Sequence, residues 1–447
     1  MMKIIGEQKV IFNGPFYTGF ILNTSNLMNQ GYSLIQEKIL NLLSQKKNES
    51  WFIEGGQESG LLWDVEYTSI FGGKTMIPPS FLAKKIELDD KIIEFEENEF
   101  TIKKIYFFFH DYGVGVYRVV LKVDIKKSVE TKEYRELIER FSPLLPSYIN
   151  DYIKNDTLTL KNSLEENDVA FDSYEEISKE LERKNSEFIP IRSSLWFHRV
   201  FEFKEDPKNI PVPEDLFLEY KRLLYSSQLD GPRNCALEPE VIAIPAFGFS
   251  LFIYEKDNFP KDIALNRVLE TAQYYYASTS LLDTIMFSKL ADYSMKRTEP
   301  PKIKKLQTEL EEIRILSDEL ELYLLILKDI IINLTPSSIL LWRNLENEWY
   351  YQPMLDGLQQ KNNLLNSKYG ELLDELSEKR SETLNRFVKI FTIFAILGPL
   401  IEIYSFAKDE NLIPLILENL QLLLLIGIPI LGVIGAVALY IGKKYFF

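Results

Sequence analysis

Two apolar runs near the C-terminus constrain this chain more than any other feature. Phe387 to Phe406 is about twenty residues, the length a helix needs to cross a hydrocarbon core roughly 30 Å thick. Its two charges, Lys389 and Glu402, lie near its ends. A polar link follows at Ala407 to Asn411, and then a second run, Leu420 to Ile441, with no charge at all. The pattern predicts two transmembrane helices in a cell (inner) membrane, multi-pass, with the lipid bilayer as partner. Lys379, Arg380, Arg386 and Lys389 stand at the entry of the first run, and Lys443 and Lys444 follow the second. The link carries Lys408 against Asp409, Glu410 and Glu418, so the positive-inside rule puts both termini in the cytoplasm. Tyr404 and the terminal Tyr445, Phe446 and Phe447 fit interfacial anchors.

The first run carries a second message. At helical spacing Asn385, Lys389, Thr392, Ile396 and Pro399 fall on one face. Polar groups facing lipid are costly. Either they snorkel to the headgroups, or several copies of the helix surround a water-filled path that these residues line. Glu402, Tyr404, Ser405, Asp409 and Glu410 would then form the outer mouth, where carboxylates collect cations.

Composition excludes several other roles. A net charge of −15 argues against direct nucleic-acid binding, which needs clustered Lys and Arg. The single Cys235 allows no disulfide within the chain, and only His110 and His198 are present, so a His-rich metal or catalytic site is excluded. The N-terminal MMKIIGEQKVIF has no long apolar run and reads as no signal peptide. No nucleophile-and-base constellation stands out, and an enzyme is not expected.

Upstream, the pattern divides at about residues 258 and 383: an α+β cytoplasmic head over 1–258, a long α-helical stalk over 259–383, and the two-helix transmembrane domain over 384–447. In the head, Lys9–Asn13, Leu62–Ile70, Lys103–His110, Val114–Asp124, Leu195–Phe203 and Val241–Tyr254 read as strands. Gly31–Gln45, Thr131–Asn155 and Ser173–Lys184 read as helices, the middle one kinked or split by Pro143 and Pro146. The polar stretch Asn155–Asp168 reads as a loop or a surface insertion. Asp262–Lys296 is the first stalk helix. A second follows Pro300 and Pro301 with Ile303, Leu306, Leu310, Ile313, Leu320, Leu324 and Leu327 on one stripe. A third passes Trp342 and Trp349, with an interruption expected near Pro353 and Gly357, and then enters the first apolar run without a break.

Two head segments are candidate ligand-binding elements. His110, Asp111, Gly113 and Gly115, with Arg118 beyond them, read as a hairpin turn or as a glycine-bearing approach for a phosphate. Arg192, His198 and Arg199 mix cations with aromatics, which suits an exposed strand or stacking on a nucleotide. The acidic runs at Asp89-Asp90 and Glu94 to Glu97 read as a solvated charged face.

The layout of head, stalk and paired C-terminal helices resembles the CorA family of divalent-cation channels. The family's Asn-x3-Lys-x2-Thr pattern stands here as Asn385, Lys389 and Thr392, and its basic-aromatic tail as Lys443, Lys444 and Tyr445. The resemblance implies a homopentamer and a divalent cation as permeant ion. The family's outer Tyr-Gly-Met-Asn is missing: the corresponding place reads Tyr404-Ser405-Phe406-Ala407. That departure puts magnesium transport in doubt. It makes the chain similar to a CRISPR-associated CorA-like branch, which implies an antiviral-defence channel switched by a nucleotide-like ligand in the head. A magnesium transporter with a divergent filter and a membrane-tethered scaffold without a pore are the alternatives.

Overall fold

The computed structural model describes residues 3–20, 22, 31–43, 49–53, 80–110, 112–165, 194–204, 236–238, 241–246, 248–254, 259–294, 303–333 and 336–407. The second apolar run at Leu420 to Ile441 lies outside the described residues, as do Leu62–Ile70, Ser173–Lys184, Cys235, Asp111, Arg192, Asp409, Glu410, Lys443, Lys444 and Tyr445. The described chain has an N-terminal α/β sheet domain and a long C-terminal helix whose far end is apolar. It divides into two compact units, Met1–Asp292 with Asp318–Asn363, and Tyr293–Ser317 with Leu364–Phe447.

In the first unit, nine strands among the described residues form one sheet: β1 (Lys3–Tyr17), β2 (Glu49–Phe52), β3 (Leu82–Phe95), β4 (Asn98–Phe109), β5 (Val114–Glu130), β6 (His198–Lys204), β7 (Ala236–Glu238), β8 (Val241–Ala246) and β9 (Phe249–Tyr254). Their order is β2-β3-β4-β5-β1-β6-β9-β8-β7. Each pair is antiparallel except β6 and β9. The strand expected over Lys9–Asn13 runs on to Tyr17, because β5 pairs with it that far, while β6 pairs with it from Lys9 to Asn13. Gly14 is required there: a Cβ would run into the Trp196 carbonyl and the Tyr117 ring.

Side chains alternate across a strand, so every strand feeds both faces. One face is apolar. Val10, Phe12 and Phe16 of β1 meet Ile105 and Phe107 of β4, Tyr117 and Val119 of β5, and Phe201 of β6. Helices α1 (Tyr32–Leu42), α2 (Thr131–Phe141) and α3 (Pro146–Glu165) cover it with Ile35, Ile39, Ile138, Phe141, Ile149 and Ile153. Phe141 stacks on Phe100 with ring centres 4.0 Å apart. The expected split at the two prolines is present, as a 3-10 turn over Ser142–Leu144 and Pro146 opening α3. The loop expected over Asn155–Asp168 is helix as far as Glu165. Leu160 and Leu164 are buried at helical spacing, and Asp156 is paired with Lys84 at 2.6 Å.

Four further helices follow: α4 (Phe259–Ser294), α5 (Ile303–Asn333), α6 (Pro336–Glu348) and α7 (Tyr351–Ala407). The break expected near Pro353 and Gly357 occurs earlier, at Trp349-Tyr350, where Tyr350 takes a φ of 52°. Pro353 lies in the first turn of α7, where its missing N–H costs no hydrogen bond. In the second unit, the Ser317 hydroxyl donates to Asn366 Oδ1 at 2.8 Å, and Leu306, Leu310 and Ile313 of α5 and Leu365, Leu372 and Leu376 of α7 are buried.

Candidate functional site

The second face of the sheet lies under α4 and sets polar side chains among apolar ones such as Ile11, Phe108, Val116 and Val200. Residues directly opposite one another on neighbouring strands share a face. Tyr106 pairs with Arg118, Arg118 with Asn13, and Asn13 with His198. These four therefore form a row across β4, β5, β1 and β6. Polar residues of α4 meet the face: Asn266, Arg267, Glu270, Thr271, Gln273 and Tyr274 are all buried. Their spacing, at i, i+1, i+4, i+5, i+7 and i+8, keeps most of them on one side of the helix.

The links between helix and sheet are specific. Glu270 accepts from Arg118 Nε with one oxygen and from Arg267 with the other, the latter at 3.3 Å. The Arg267 guanidinium lies 4.5 Å from the centre of the Phe108 ring. The Asn266 amide donates to Glu202 at 3.0 Å, and Glu202 also takes Lys9 at 2.6 Å. Trp196 donates its indole N–H to Gln273 at 2.6 Å. His110 stacks on Tyr274 with ring centres 4.0 Å apart. Burial, reinforced by the charge of Arg267, holds the His110 pKa well below its ordinary value. Burial, then the nearby Arg199 charge, pushes His198 down to about 3. Both rings are neutral at physiological pH.

At its other side α4 is tied to the start of α7. The Tyr323 hydroxyl, from α5, lies 2.8 Å from Ser278 Oγ and 2.7 Å from Thr279 Oγ1. Thr279 Oγ1 is 3.0 Å from the Tyr351 hydroxyl, the first residue of α7. A second approach runs through His198, whose Nε2 is 2.8 Å from Ser250 Oγ and whose ring meets Trp349 edge-on at 5.6 Å. Trp349 immediately precedes the left-handed Tyr350.

Of the ligand candidates named from sequence, the structure brings His110, Arg118 and His198 to this polar face. Arg199 projects to the opposite face, where Nε donates to Ser142 Oγ at 2.8 Å and the guanidinium lies over Phe249. Gly113 supplies a φ of 74° to the β4–β5 turn, and Gly115 lies against the Phe16 ring, which a Cβ would strike. Both glycines thus answer to the turn and to packing. Of the acidic runs, Glu96 takes Arg140 through both oxygens and Glu97 takes Lys127, so these are surface ion pairs.

Asn385, Lys389, Thr392, Ile396 and Pro399 follow one another along α7 at spacings of three and four. Asn385, Lys389, Thr392 and Ile396 are exposed, and Pro399 is half-buried. The Thr392 hydroxyl donates to the Val388 carbonyl at 2.8 Å, which satisfies it within the helix. Glu402 and Ser405 are exposed further along, and Tyr404 is helical with its side chain outside the description. Phe387, Phe391, Phe394, Leu397, Leu400 and Ile401 are also exposed, so outside that stripe the segment is apolar. Among the described residues α7 is the helix long and apolar enough to cross a membrane, by length and composition.

Asn13, Arg267, Glu270 and Thr271 are absent from the sequence-based candidates. The polar pairs at 266–267 and 270–271, one turn apart on a helix with little exposed surface, were the available signal. No family model, curated protein or solved structure matches the chain.

Proposed function

We propose that the chain is an oligomeric, CorA-like membrane channel whose sheet domain responds to a small nucleotide-like messenger, in the manner of a type III CRISPR defence effector. In this reading the second apolar run is a second transmembrane helix, both termini are cytoplasmic, and the oligomer is a pentamer. The divalent cation is a permeant ion.

The observation that carries the reading is the continuity of α7. Its first residue, Tyr351, is hydrogen-bonded into the hydroxyl knot on α4, and its far segment exposes Phe387, Phe391, Phe394, Leu397, Leu400 and Ile401. One uninterrupted helix of 57 residues joins them, roughly 85 Å at 1.5 Å per residue. A continuous helix transmits a displacement that a flexible linker would absorb. The polar face under α4 supplies the sensing end, because guanidinium groups and aromatic rings are what a phosphate and a base require.

Ion flux through liposomes holding the purified full chain tests this. Flux should be silent alone and open on addition of one member of a panel of adenosine and guanosine mono-, di- and oligonucleotides. No flux under any of them removes the proposal. Rescue of a magnesium-transport-deficient cell without added nucleotide would favour a constitutive divalent-cation transporter instead.

A further inference from the structure

The polar layer under α4 contains groups that the closed structure leaves without hydrogen-bond partners. Asn13 is fully buried, and neither its amide nitrogen nor its amide oxygen has one. The Thr271 hydroxyl, on the adjoining helix, and His110 Nε2 share that condition. A buried donor or acceptor without a partner forfeits the hydrogen bonds it would make to water. The apolar face carries such groups too, the hydroxyls of Tyr134 and Thr157. There each is a single hydroxyl. In the polar layer the orphaned amide stands in one row with Arg118 and His198, directly opposite both.

This distribution has a thermodynamic direction. Lifting α4 exposes apolar side chains, Val268, Leu269 and Tyr275 among them, and breaks the links through Glu270, Asn266 and Gln273, but it lets Asn13, Thr271 and His110 recover hydrogen bonds with water. Lifting α2 or α3 also exposes apolar side chains and breaks the Lys84–Asp156 pair, and returns to water the hydroxyls of Tyr134 and Thr157. The recovered hydrogen bonds lower the free energy of opening at α4 below what its apolar burial and links alone would set. The same helix holds Tyr351 through Thr279, so its departure frees the first residue of α7.

We propose that α4 is a releasable clamp: its polar layer keeps the closed state only marginally favoured, and its release unlocks the start of α7. The Asn13 amide is the group that sets the balance. The device concerns how the sheet domain is regulated and stands whether or not the membrane helices form a pore.

Hydrogen exchange, followed by mass spectrometry on the full chain in detergent at neutral pH, tests it without a ligand. Peptides over residues 265–281 should exchange about tenfold faster or more than those over residues 134–141 and 149–160. Asn13→Leu keeps the heavy-atom shape and removes both orphaned atoms. It should slow exchange over α4 and the first turns of α7 by about 5–30-fold and leave α2 and α3 unchanged. Thr271→Val should act in the same direction with a smaller effect. Wild-type exchange as slow over α4 as over α2 and α3 overturns the proposal, and this comparison needs no variant. A folded Asn13→Leu or Thr271→Val protein with unchanged or faster exchange over α4 overturns it as well.

Discussion

The two faces of one sheet use the same strands for opposite chemistry. Toward α2 and α3, β1 presents Val10, Phe12 and Phe16 to other apolar side chains, and packing closes most of the layer, with the Lys84–Asp156 pair and the Arg199–Ser142 hydrogen bond beside it. Toward α4 it presents Asn13, between Arg118 and His198, and closure depends on directional links: Arg118 to Glu270, Asn266 to Glu202, Trp196 to Gln273. Apolar burial tolerates small shifts and loses energy gradually. A directional polar layer is either made or broken, which is the property a switch needs. Under the proposed function, that difference makes the sheet a fixed body on one side and a sensor on the other.

Substitutions on the two faces should differ in sign as well as size. Phe141→Ala removes a ring stacked between apolar neighbours and should cost about 3–5 kcal/mol in thermal or denaturant unfolding of the sheet domain. Equal tolerance on both faces would break the comparison. Acid should act on the polar face. His198 has an ordinary pKa of 6.5 and is depressed to about 3, so the unfolded state binds the extra proton between those values. Its contribution is fully present above about pH 6.5 and is lost progressively as pH falls toward 3. Between pH 7.5 and 5 that loss is about 2 kcal/mol. A His198→Gln protein should lack this component while keeping the remaining acid sensitivity. Asn13→Leu should go the other way and stabilise the folded domain by about 1–3 kcal/mol, since it removes polar atoms that have no partner. The smallest effect belongs at the exposed hairpin. Lys127→Ala breaks an exposed surface pair with Glu97 and should leave the unfolding midpoint unchanged within error.

The sequence made the sheet's apolar alternation visible, and with it β4, β5 and the order of the head, the helices and the apolar C-terminal segment. It hid what depends on partners distant in the chain. Strand β3 is hard to read as a strand because Lys84 is neutralised by Asp156 and Glu49 and Glu87 also by Lys104, residues the fold brings beside them, while Lys85 pairs with Glu87 within the strand. The polar end of α3 looked like a loop for the same reason. His110, Arg118 and His198 could be named as candidates, but Asn13 could not. A lone Asn before Gly in a strand pattern carries no sign that Arg118 and His198 will lie on either side of it. Glu270 is one carboxylate among many until the fold places two arginines on it. The stripe from Asn385 to Pro399 was legible because it depends only on helical period.

The central claim is that the state of the sheet domain is read out at the apolar end of α7. Ion flux in liposomes, compared between the native chain and the double variant Asn385→Leu, Thr392→Leu, tests it most directly, because those positions lie far along α7 from the Tyr351 knot. The account predicts messenger-dependent flux through the native protein and its loss in the double variant, with nucleotide binding to the sheet domain retained. Equal flux through both proteins would contradict it.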